Sequence, residues 1–323
     1  MSVVQPVTPG DASPGMLLGE SLQSLLTHAA VLALTEYPIL ITGETGTGKT
    51  LLARYLHRTS KRRGRFIHAP AAAVDEHLVG DMLFGHRPGA FTSARTQRRG
   101  LIETAREGTL YLPTVGDLTP AVQKKLLRVI ENGTYTPLGG TAPVQSATRI
   151  ITATQYTQEQ LFVDRSFRQD LYYRLAMHRL VIPPLRDRRE DIPQLACHFH
   201  RVIATRLPRP IPPLSSQGID ALLDPREMWR GNVRELRNRI FTAAVLCDDA
   251  EITASWLRPR AAHRRCSTEV RFPGTLPTIS QFRARLIHAA LHRCGGHQKR
   301  AAIMLGRDDS TISKWLENSL SKT

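Results

Sequence analysis

The chain has 323 residues, of which 41% are hydrophobic, so it is long enough for two or three domains with buried cores. Lys and Arg total 44 against 28 Asp and Glu, and the resulting formal charge of +16 indicates an anionic partner such as nucleic acid. No uncharged apolar run reaches about 18 residues and no basic region precedes an apolar stretch, so we expect a cytoplasmic protein without a membrane partner.

The first 186 residues predict a disordered tail followed by an α/β domain. Residues 1–17 are rich in Pro, Gly and Ser, a composition that is typical of disorder. Helical patterns then alternate with short β-rich runs, the helices at 21–34, 49–60 and 120–131 and the strands at 38–42, 66–69, 109–112 and 149–153. Over residues 18–186 this alternation predicts a parallel sheet flanked by helices.

A phosphate-binding motif follows the first predicted strand. The string GETGTGKT fits G-x-x-x-x-G-K-[ST] at every fixed position, and a helical pattern follows it. In such a loop the backbone N–H groups surround phosphates, the lysine reaches the outer phosphates, and the last hydroxyl, that of Thr50, contacts Mg²⁺. We therefore predict that ATP or ADP, with Mg²⁺, binds through Gly43, Glu44, Thr45, Gly46, Thr47, Gly48, Lys49 and Thr50.

The second half of the ATPase site is altered. Hydrolytic P-loop proteins place a metal-binding Asp at the end of another buried strand, and in many of them a Glu follows and polarises the attacking water. Here the strand predicted at 109–112 is followed by Pro113 and Thr114, which supply no carboxylate. The sequence therefore predicts that nucleotide binding is retained while hydrolysis is weak or lost.

The remaining chain divides into three segments. Residues 187–258 show helical patterns only, and the string Asn232-Val-Arg-Glu235 resembles a capping box at a helix start. Residues 259–277 predict a basic linker that contains Pro. Residues 278–323 predict a final helical domain.

Four strings together resemble one protein family. The string GHRPGAFTSA at 85–94 closely resembles the GAFTGA loop of the bacterial enhancer-binding proteins, the AAA+ activators of sigma-54 RNA polymerase. Three more strings follow in the family's order, namely FRQDLYYRL at 167–175, PPLRDRREDI at 183–192 and WRGNVRELRN at 229–238. These resemble its arginine-finger segment, its entry to the lid and its second sensor. The resemblance implies an α/β P-loop AAA+ domain, an all-α lid and a C-terminal Fis-type helix-turn-helix, without a receiver domain.

The resemblance also implies a contact with the sigma factor. Phe91 and Thr92 stand where the family's loop makes that contact. Ser93 replaces the last Gly of the loop, which removes easy access to positive φ. We expect binding to sigma-54 RNA polymerase holoenzyme, with loop movement or docking altered by this replacement.

Further side chains take roles by resemblance at the nucleotide. Arg168 and Arg174 match arginines that reach the nucleotide of a neighbouring subunit, and Gln155 stands at the first sensor, so these three are the candidate catalytic residues. Arg234 matches the sensor arginine that the lid contributes within the same subunit, and it is a further candidate for nucleotide binding.

The departures from the family pattern concern hydrolysis. Pro113 and Thr114 replace Asp and Glu, Gln155 replaces Asn, and Pro70 replaces an Asn that usually restrains the Glu. Losing the Glu together with its polar partner is coherent, because the partner has no role without the carboxylate.

The C-terminal segment resembles the Fis-type helix-turn-helix of these activators. In the string at 296–316, Ala301 and Ala302 allow close helix contact and Gly306 permits the turn. The side chains then left on the groove side, and predicted to contact DNA at an upstream enhancer-like site, are Ser310, Thr311, Ser313 and Lys314.

Together these features predict a sigma-54-type DNA-binding regulator that binds ATP and assembles as a homo-oligomer or in a mixed ring with an active paralogue. Two alternatives remain open at this point. One is a fully active ATPase that uses a relocated carboxylate, for which Asp117 is the nearest candidate. The other is a purely structural DNA-binding protein with a vestigial ATP site.

Overall fold

The computed structural model describes residues 20–69, 76–91, 94–207 and 210–258, together with a few C-terminal positions, namely 287, 289–291, 297–298 and 301–302. The chain divides into two compact units, Met1–Pro259 and Arg260–Thr323. The helices and strands named below belong to the first unit.

The first unit begins with alternating strands and helices and ends with helices. Its strands are β1 (Ile39–Thr42), β2 (Phe66–His68), β3 (Gly85–His86), β4 (Arg98–Arg99), β5 (Thr109–Leu112), β6 (Thr134–Tyr135), β7 (Val144–Gln145), β8 (Arg149–Thr154) and β9 (Arg179–Val181). Its helices are α1 (Gln23–Ala33), α2 (Lys49–Thr59), α3 (Glu76–Phe84), α4 (Leu101–Thr104), α5 (Pro120–Asn132), α6 (Gln158–Val163), α7 (Gln169–Leu175), α8 (Ile192–Ala204), α9 (Ser216–Leu222), α10 (Asn232–Leu246) and α11 (Ala254–Leu257).

Five of these strands form one parallel sheet in the order β2-β5-β8-β1-β9. All residues of β5 and β8 are buried, as expected for strands that are covered by helices on both faces. Because the carboxyl ends of parallel strands meet at one edge, the residues that follow β1, β5 and β8 come together there. This arrangement confirms the predicted parallel sheet flanked by helices.

Local signals in the sequence set the ends of several helices. Helix α5 has Pro120 at its first position and ends at Gly133, which adopts φ 63°. Helix α6 begins with a capping box in which Thr157 and Gln160 each accept a hydrogen bond from the other's backbone N–H. The signals at α5 explain why the helix predicted at 120–131 differs from the observed one by only one residue.

The all-helical part, formed by α8 to α11, packs around a second core. Trp229 is 1% exposed, and the guanidinium carbon of Arg239 lies 4.2 Å from the centre of its ring. Arg239 also forms ion pairs with Glu227 and Glu235. The predicted helical domain after the sheet is therefore confirmed.

The predicted capping box at residue 232 is wrong. The Glu235 carboxylate accepts a hydrogen bond from the N–H of Gly231 rather than from that of Asn232. The Asn232 side chain is engaged elsewhere, because its oxygen accepts from the N–H of Leu185 at 2.7 Å. Asn232 is the first residue of α10 and has φ 52°, a conformation that Asn tolerates better than most residues.

Some elements had no clear sequence signal. The edge strand β9 is three residues long, and the two small antiparallel pairs, β3 with β4 and β6 with β7, have two residues in each strand. Strands this short show no measurable alternation. Among the described residues, no helix is long and apolar enough to cross a membrane.

Little of the second unit is described. Ala301 and Ala302 are both buried, and the N–H of Ala301 donates to the carbonyl of His297 at 3.0 Å. The predicted helix-turn-helix as a whole, like the predicted tail at 1–17, lies outside the described residues.

Candidate functional site

The phosphate-binding motif connects β1 to α2 at the carboxyl edge of the sheet. Gly48 precedes α2 with φ 111°, a conformation that side chains other than Gly rarely adopt. Gly46 lies against the helical part, where an added Cβ would come within 2.3 Å of the carbonyl oxygen of Gly231. The loop therefore depends on glycine both for its curvature and for its close approach to the loop before α10.

Lys49 is held inside this loop. Its Nζ donates to the carbonyl oxygens of Gly43 at 2.7 Å and of Glu44 at 2.9 Å. Burial, together with the nearby charge of Arg234, lowers the pKa of Lys49 to about 8. A polyanion bound beside this ammonium group would favour its charged form.

Glu44 connects the loop to the helical part. Its carboxylate accepts two hydrogen bonds from Arg186, at 2.6 and 2.9 Å, and one from the Asn232 side-chain amide at 3.0 Å. These bonds lower the pKa of Glu44 to about 2. The same Asn232 amide donates to the carbonyl of Thr45, and Arg188 donates to that of Thr47. These contacts hold the phosphate-binding loop against the helical part.

A cavity of about 530 Å³ opens at this edge between the sheet and the helical part. Its lining residues are Thr45, Gly46, Gly48, Lys49, Thr50, Leu51, Arg54, Tyr111, Pro113, Thr114, Gln155, Phe199, Val233, Arg234 and Arg237. The predicted Thr45, Gly46, Gly48, Lys49, Thr50, Gln155 and Arg234 are therefore brought together here. The apolar side chains of Leu51, Phe199 and Val233 suit a flat base, and the basic side chains suit phosphates.

Two basic side chains of this cavity were missed by the sequence analysis. Arg237 lies three residues after Arg234 on the same face of α10, a spacing that could have indicated it. Arg54 lies on α2, one turn after Thr50, and its guanidinium carbon is 5.7 Å from the centre of the Phe66 ring.

The wall formed by the end of β5 lacks acidic groups. Pro113 and Thr114 both line the cavity, and the buried Oγ1 of Thr114 has no hydrogen-bond partner among the described residues. The phenolic oxygen of Tyr111 lies 3.4 Å from Oγ1 of Thr50, and burial raises the pKa of Tyr111 to about 12. On the neighbouring strand end, Gln155 accepts a hydrogen bond from the Thr45 hydroxyl.

These residues do not fit a protein-held magnesium ion. Mg²⁺ is normally bound through one or two carboxylates together with phosphate oxygens and water. The neutral hydroxyl of Tyr111 lies near Thr50, Thr114 adds a second neutral hydroxyl to the cavity lining, and none of the described lining residues is acidic. Asp117 does not line the cavity, since its carboxylate accepts hydrogen bonds from Arg165 at 3.1 Å and from Tyr156 at 3.2 Å.

The two candidate arginine fingers lie outside this cavity. Arg168 forms an ion pair with Asp170 at 2.6 Å, and Arg174 forms one with Glu131 at 3.2 Å. Both guanidinium groups are about half exposed, so these pairs are weak and exchange easily. Gln123, which was not predicted from the sequence, is fully buried, and its side-chain oxygen accepts from the N–H of Arg168 at 2.9 Å.

Phe91 occupies the tip of the loop between β3 and β4. Its ring is 41% exposed and packs edge-on against the ring of His86, with 4.9 Å between the ring centres. His86 is buried and lies 2.6 Å from a carboxylate oxygen of Asp81. Part of the aromatic surface therefore remains available for a partner.

Several predicted site residues lie outside the described residues. They are Pro70, Thr92, Ser93, Ser310, Thr311, Ser313 and Lys314.

Two family models match this chain. The sigma-54 interaction domain matches residues 17–181, and the AAA+ ATPase lid domain matches residues 186–271. The first match covers the sheet and its flanking helices, and the second covers α8 to α11.

Characterised proteins similar to the chain include transcription regulators. The regulatory protein AtoC of Escherichia coli is 37% identical over 296 residues, which cover 88% of this chain and 63% of AtoC. The nitric oxide reductase transcription regulator NorR1 of Cupriavidus necator is 37% identical over 335 residues, which cover 96% of this chain and 65% of NorR1. The chain thus spans slightly less than two thirds of the length of these regulators. NtrX from Brucella abortus, in its crystal structure in complex with ATP, is 29% identical in sequence and superposes with a TM-score of 0.67. The match covers 94% of this chain and 70% of the NtrX chain.

Proposed function

The chain belongs to the family defined by the sigma-54 interaction domain, and on this premise we propose that it is a DNA-binding transcription regulator that contacts sigma-54 RNA polymerase holoenzyme. It binds ATP or ADP in the cavity beside the phosphate-binding loop and works in the cytoplasm. The similar NtrX of Brucella abortus was crystallised with ADP and with ATP, which supports this choice of ligand.

Hydrolysis of the bound nucleotide is weak or lost. The observation that carries this proposal is the contrast within one cavity between a complete phosphate-binding loop and a β5 end that presents Pro113 and Thr114. Phosphoryl transfer to water needs the water to be oriented and the metal to be held. Neither Pro113 nor the Thr114 hydroxyl can orient the water or hold the metal as a carboxylate does.

Nucleotide affinity and ATPase turnover, measured on the same purified chain, test this proposal. We expect calorimetry to detect ATP binding that Lys49→Ala weakens by about a hundredfold, while steady-state phosphate release stays near the background rate. A robust rate that Lys49→Ala abolishes would show that hydrolysis survived in this chain. Absence of nucleotide binding would instead favour a purely structural DNA-binding protein.

Arg168 and Arg174 act on the nucleotide of a neighbouring subunit in a mixed ring with an active paralogue. Their exposed guanidinium groups support this role, because an exposed ion pair is readily exchanged for a contact with phosphate. The fingers need no carboxylate in their own subunit, so they remain useful after hydrolysis is lost.

Mixing experiments test the proposed ring. Adding this chain to an active paralogue should change the paralogue's ATPase rate, and Arg168→Ala or Arg174→Ala should reduce that effect. Arg106→Ala is a matched control, because Arg106 is 73% exposed and forms only a loose ion pair with Glu107. A paralogue whose rate ignores the wild-type chain would eliminate the mixed ring and leave a nucleotide-gated DNA-binding homo-oligomer.

Residues 278–323 bind duplex DNA as a dimer, with Ser310, Thr311, Ser313 and Lys314 facing the groove. Lys314→Ala should weaken binding to all sequences and flatten its dependence on salt if Lys314 contacts phosphate. Loss of discrimination at one base pair would make it a base-reading residue. If deleting this segment leaves the DNA affinity unchanged, the basic linker at 259–277 is the binding element.

A further inference from the structure

The cavity has an unusual balance of charge for a nucleotide site. Its described lining contains four basic side chains, those of Lys49, Arg54, Arg234 and Arg237, and no acidic one. They approach from two directions, since Lys49 and Arg54 lie on α2 while the other two lie on α10. A polyanion in this cavity would therefore meet positive charge both from the sheet side and from the helical part.

The position where a metal ion would sit beside the phosphate-binding loop has no negatively charged side chain that could serve as a ligand. Oγ1 of Thr50 lies 3.4 Å from the phenolic oxygen of Tyr111, a side chain that is 0% exposed and so has a fixed position. Pro113 contributes no side-chain ligand at the next wall of the cavity. Within the described residues, no group of three or more His, Cys, Asp and Glu side chains could hold a metal ion.

We propose that this chain binds a nucleoside di- or triphosphate as the metal-free anion, with the four basic side chains supplying the positive charge that Mg²⁺ supplies in hydrolytic P-loop proteins. The inference rests on the proposed nucleotide binding and adds the chemical form of the ligand. Its physical basis is electrostatic, because an added divalent cation would gain no carboxylate ligand and would be repelled by Arg54, Arg234 and Arg237.

Calorimetric titration of the full chain with ATP and with ADP, in excess EDTA and in excess magnesium chloride, tests the proposal. We expect each nucleotide to bind in EDTA at least as tightly as in magnesium, with two dissociation constants that agree within about threefold. Affinity that falls by more than about tenfold when magnesium is removed would overturn the proposal.

Single substitutions test which side chains supply the positive charge. Arg237→Gln should weaken ATP binding in EDTA by about tenfold, because it removes one charge from an exposed helix face without disturbing the core. Arg230→Gln is the matched control, since Arg230 is also exposed, lies nearby in sequence and does not line the cavity. Equal losses from both variants, or no loss from Arg237→Gln, would contradict the assigned role.

Restoring a carboxylate provides the converse test. Pro113→Asp places an acidic group on the wall beside Thr50, so it should weaken ATP binding in EDTA by about tenfold and make the affinity depend on magnesium. A variant that stays indifferent to magnesium would count against the electrostatic explanation.

The outcomes distinguish this inference from the proposed function. Binding that requires magnesium would overturn the metal-free form and leave the nucleotide-binding regulator intact. The absence of ATP and ADP binding under both conditions would remove the nucleotide-binding function and the inference with it.

Discussion

The two walls of the cavity differ in how completely their polar groups are partnered. On the side of the phosphate-binding loop, Glu44 is bound by Arg186 and Asn232, and Lys49 donates to two loop carbonyls. On the side of the β5 end, the Thr114 hydroxyl has no partner among the described residues. The first wall is held in place by paired charges, whereas the second presents no carboxylate to the cavity.

This difference shows how binding and hydrolysis can be separated. Phosphate binding depends on backbone N–H groups, a helix terminus and several basic side chains, so no single substitution removes all of it. Hydrolysis depends on individual side chains at fixed positions, so it is sensitive to the residues that stand at positions 113 and 114. Substitutions on either wall test this difference.

The largest effect is expected from Lys49→Ala, which removes the one lysine that lines the described cavity. ATP affinity should fall by about a hundredfold, because a charge-assisted contact with the outer phosphates is lost. Calorimetry measures this change, and Lys124→Ala, on an exposed face of α5, is the control. Equal affinities for wild type and Lys49→Ala would show that the first wall is not a phosphate site.

Gly46→Ala tests the close approach of the loop to the helical part. The added Cβ would meet the Gly231 carbonyl oxygen at 2.3 Å, and the alanine itself would be held at φ 83°, which side chains rarely adopt. We therefore expect the unfolding free energy to fall by about 3 kcal/mol.

Gly89→Ala separates the two causes of that loss. Gly89 has nearly the same φ, 82°, but an added Cβ there would have no atom within 4 Å. Urea unfolding should therefore give a smaller loss, about 1 kcal/mol, from backbone strain alone. Equal losses from the two variants would mean that the contact between Gly46 and Gly231 contributes nothing.

Glu44→Gln tests the contact with Arg186 through its pH dependence. The folded pKa near 2 lies below the ordinary value of 4.5, so the stabilisation is fully present above pH 4.5 and is lost as the pH falls toward 2. At pH 7 the variant should melt about 1–2 °C below wild type, a small effect because the carboxylate is partly exposed to solvent. The difference in melting temperature should shrink below pH 4.5, and a constant difference would contradict this assignment.

The smallest effect is expected from Asp117→Asn. Its carboxylate is bound to Arg165 and Tyr156 rather than directed into the cavity, so ATP affinity and turnover should stay within about twofold of wild type. A large loss of turnover would establish Asp117 as the relocated carboxylate, and the β5 side of the cavity would then support hydrolysis.

The sequence predicted the features that depend on neighbours along the chain. The phosphate-binding loop, the strand before Pro113 and the ends of α5 follow from local patterns of Gly, Pro and apolar residues. Contacts between distant segments could not be predicted in this way, as Arg186 with Glu44 shows. Asn232 illustrates the same limit, because its local pattern indicated a cap while its side chain binds a loop that lies 187 residues earlier in the chain.

Gln123 has a consequence that reaches beyond its own helix. Its buried amide donates to the Leu118 carbonyl at 2.8 Å and accepts from the Arg168 N–H, so it joins the turn after β5 to the start of α7. These two hydrogen bonds tie the backbone at Arg168 to the segment that follows the β5 end of the cavity. Through this link, the start of the predicted arginine-finger helix takes its backbone position from the β5 end of the same subunit.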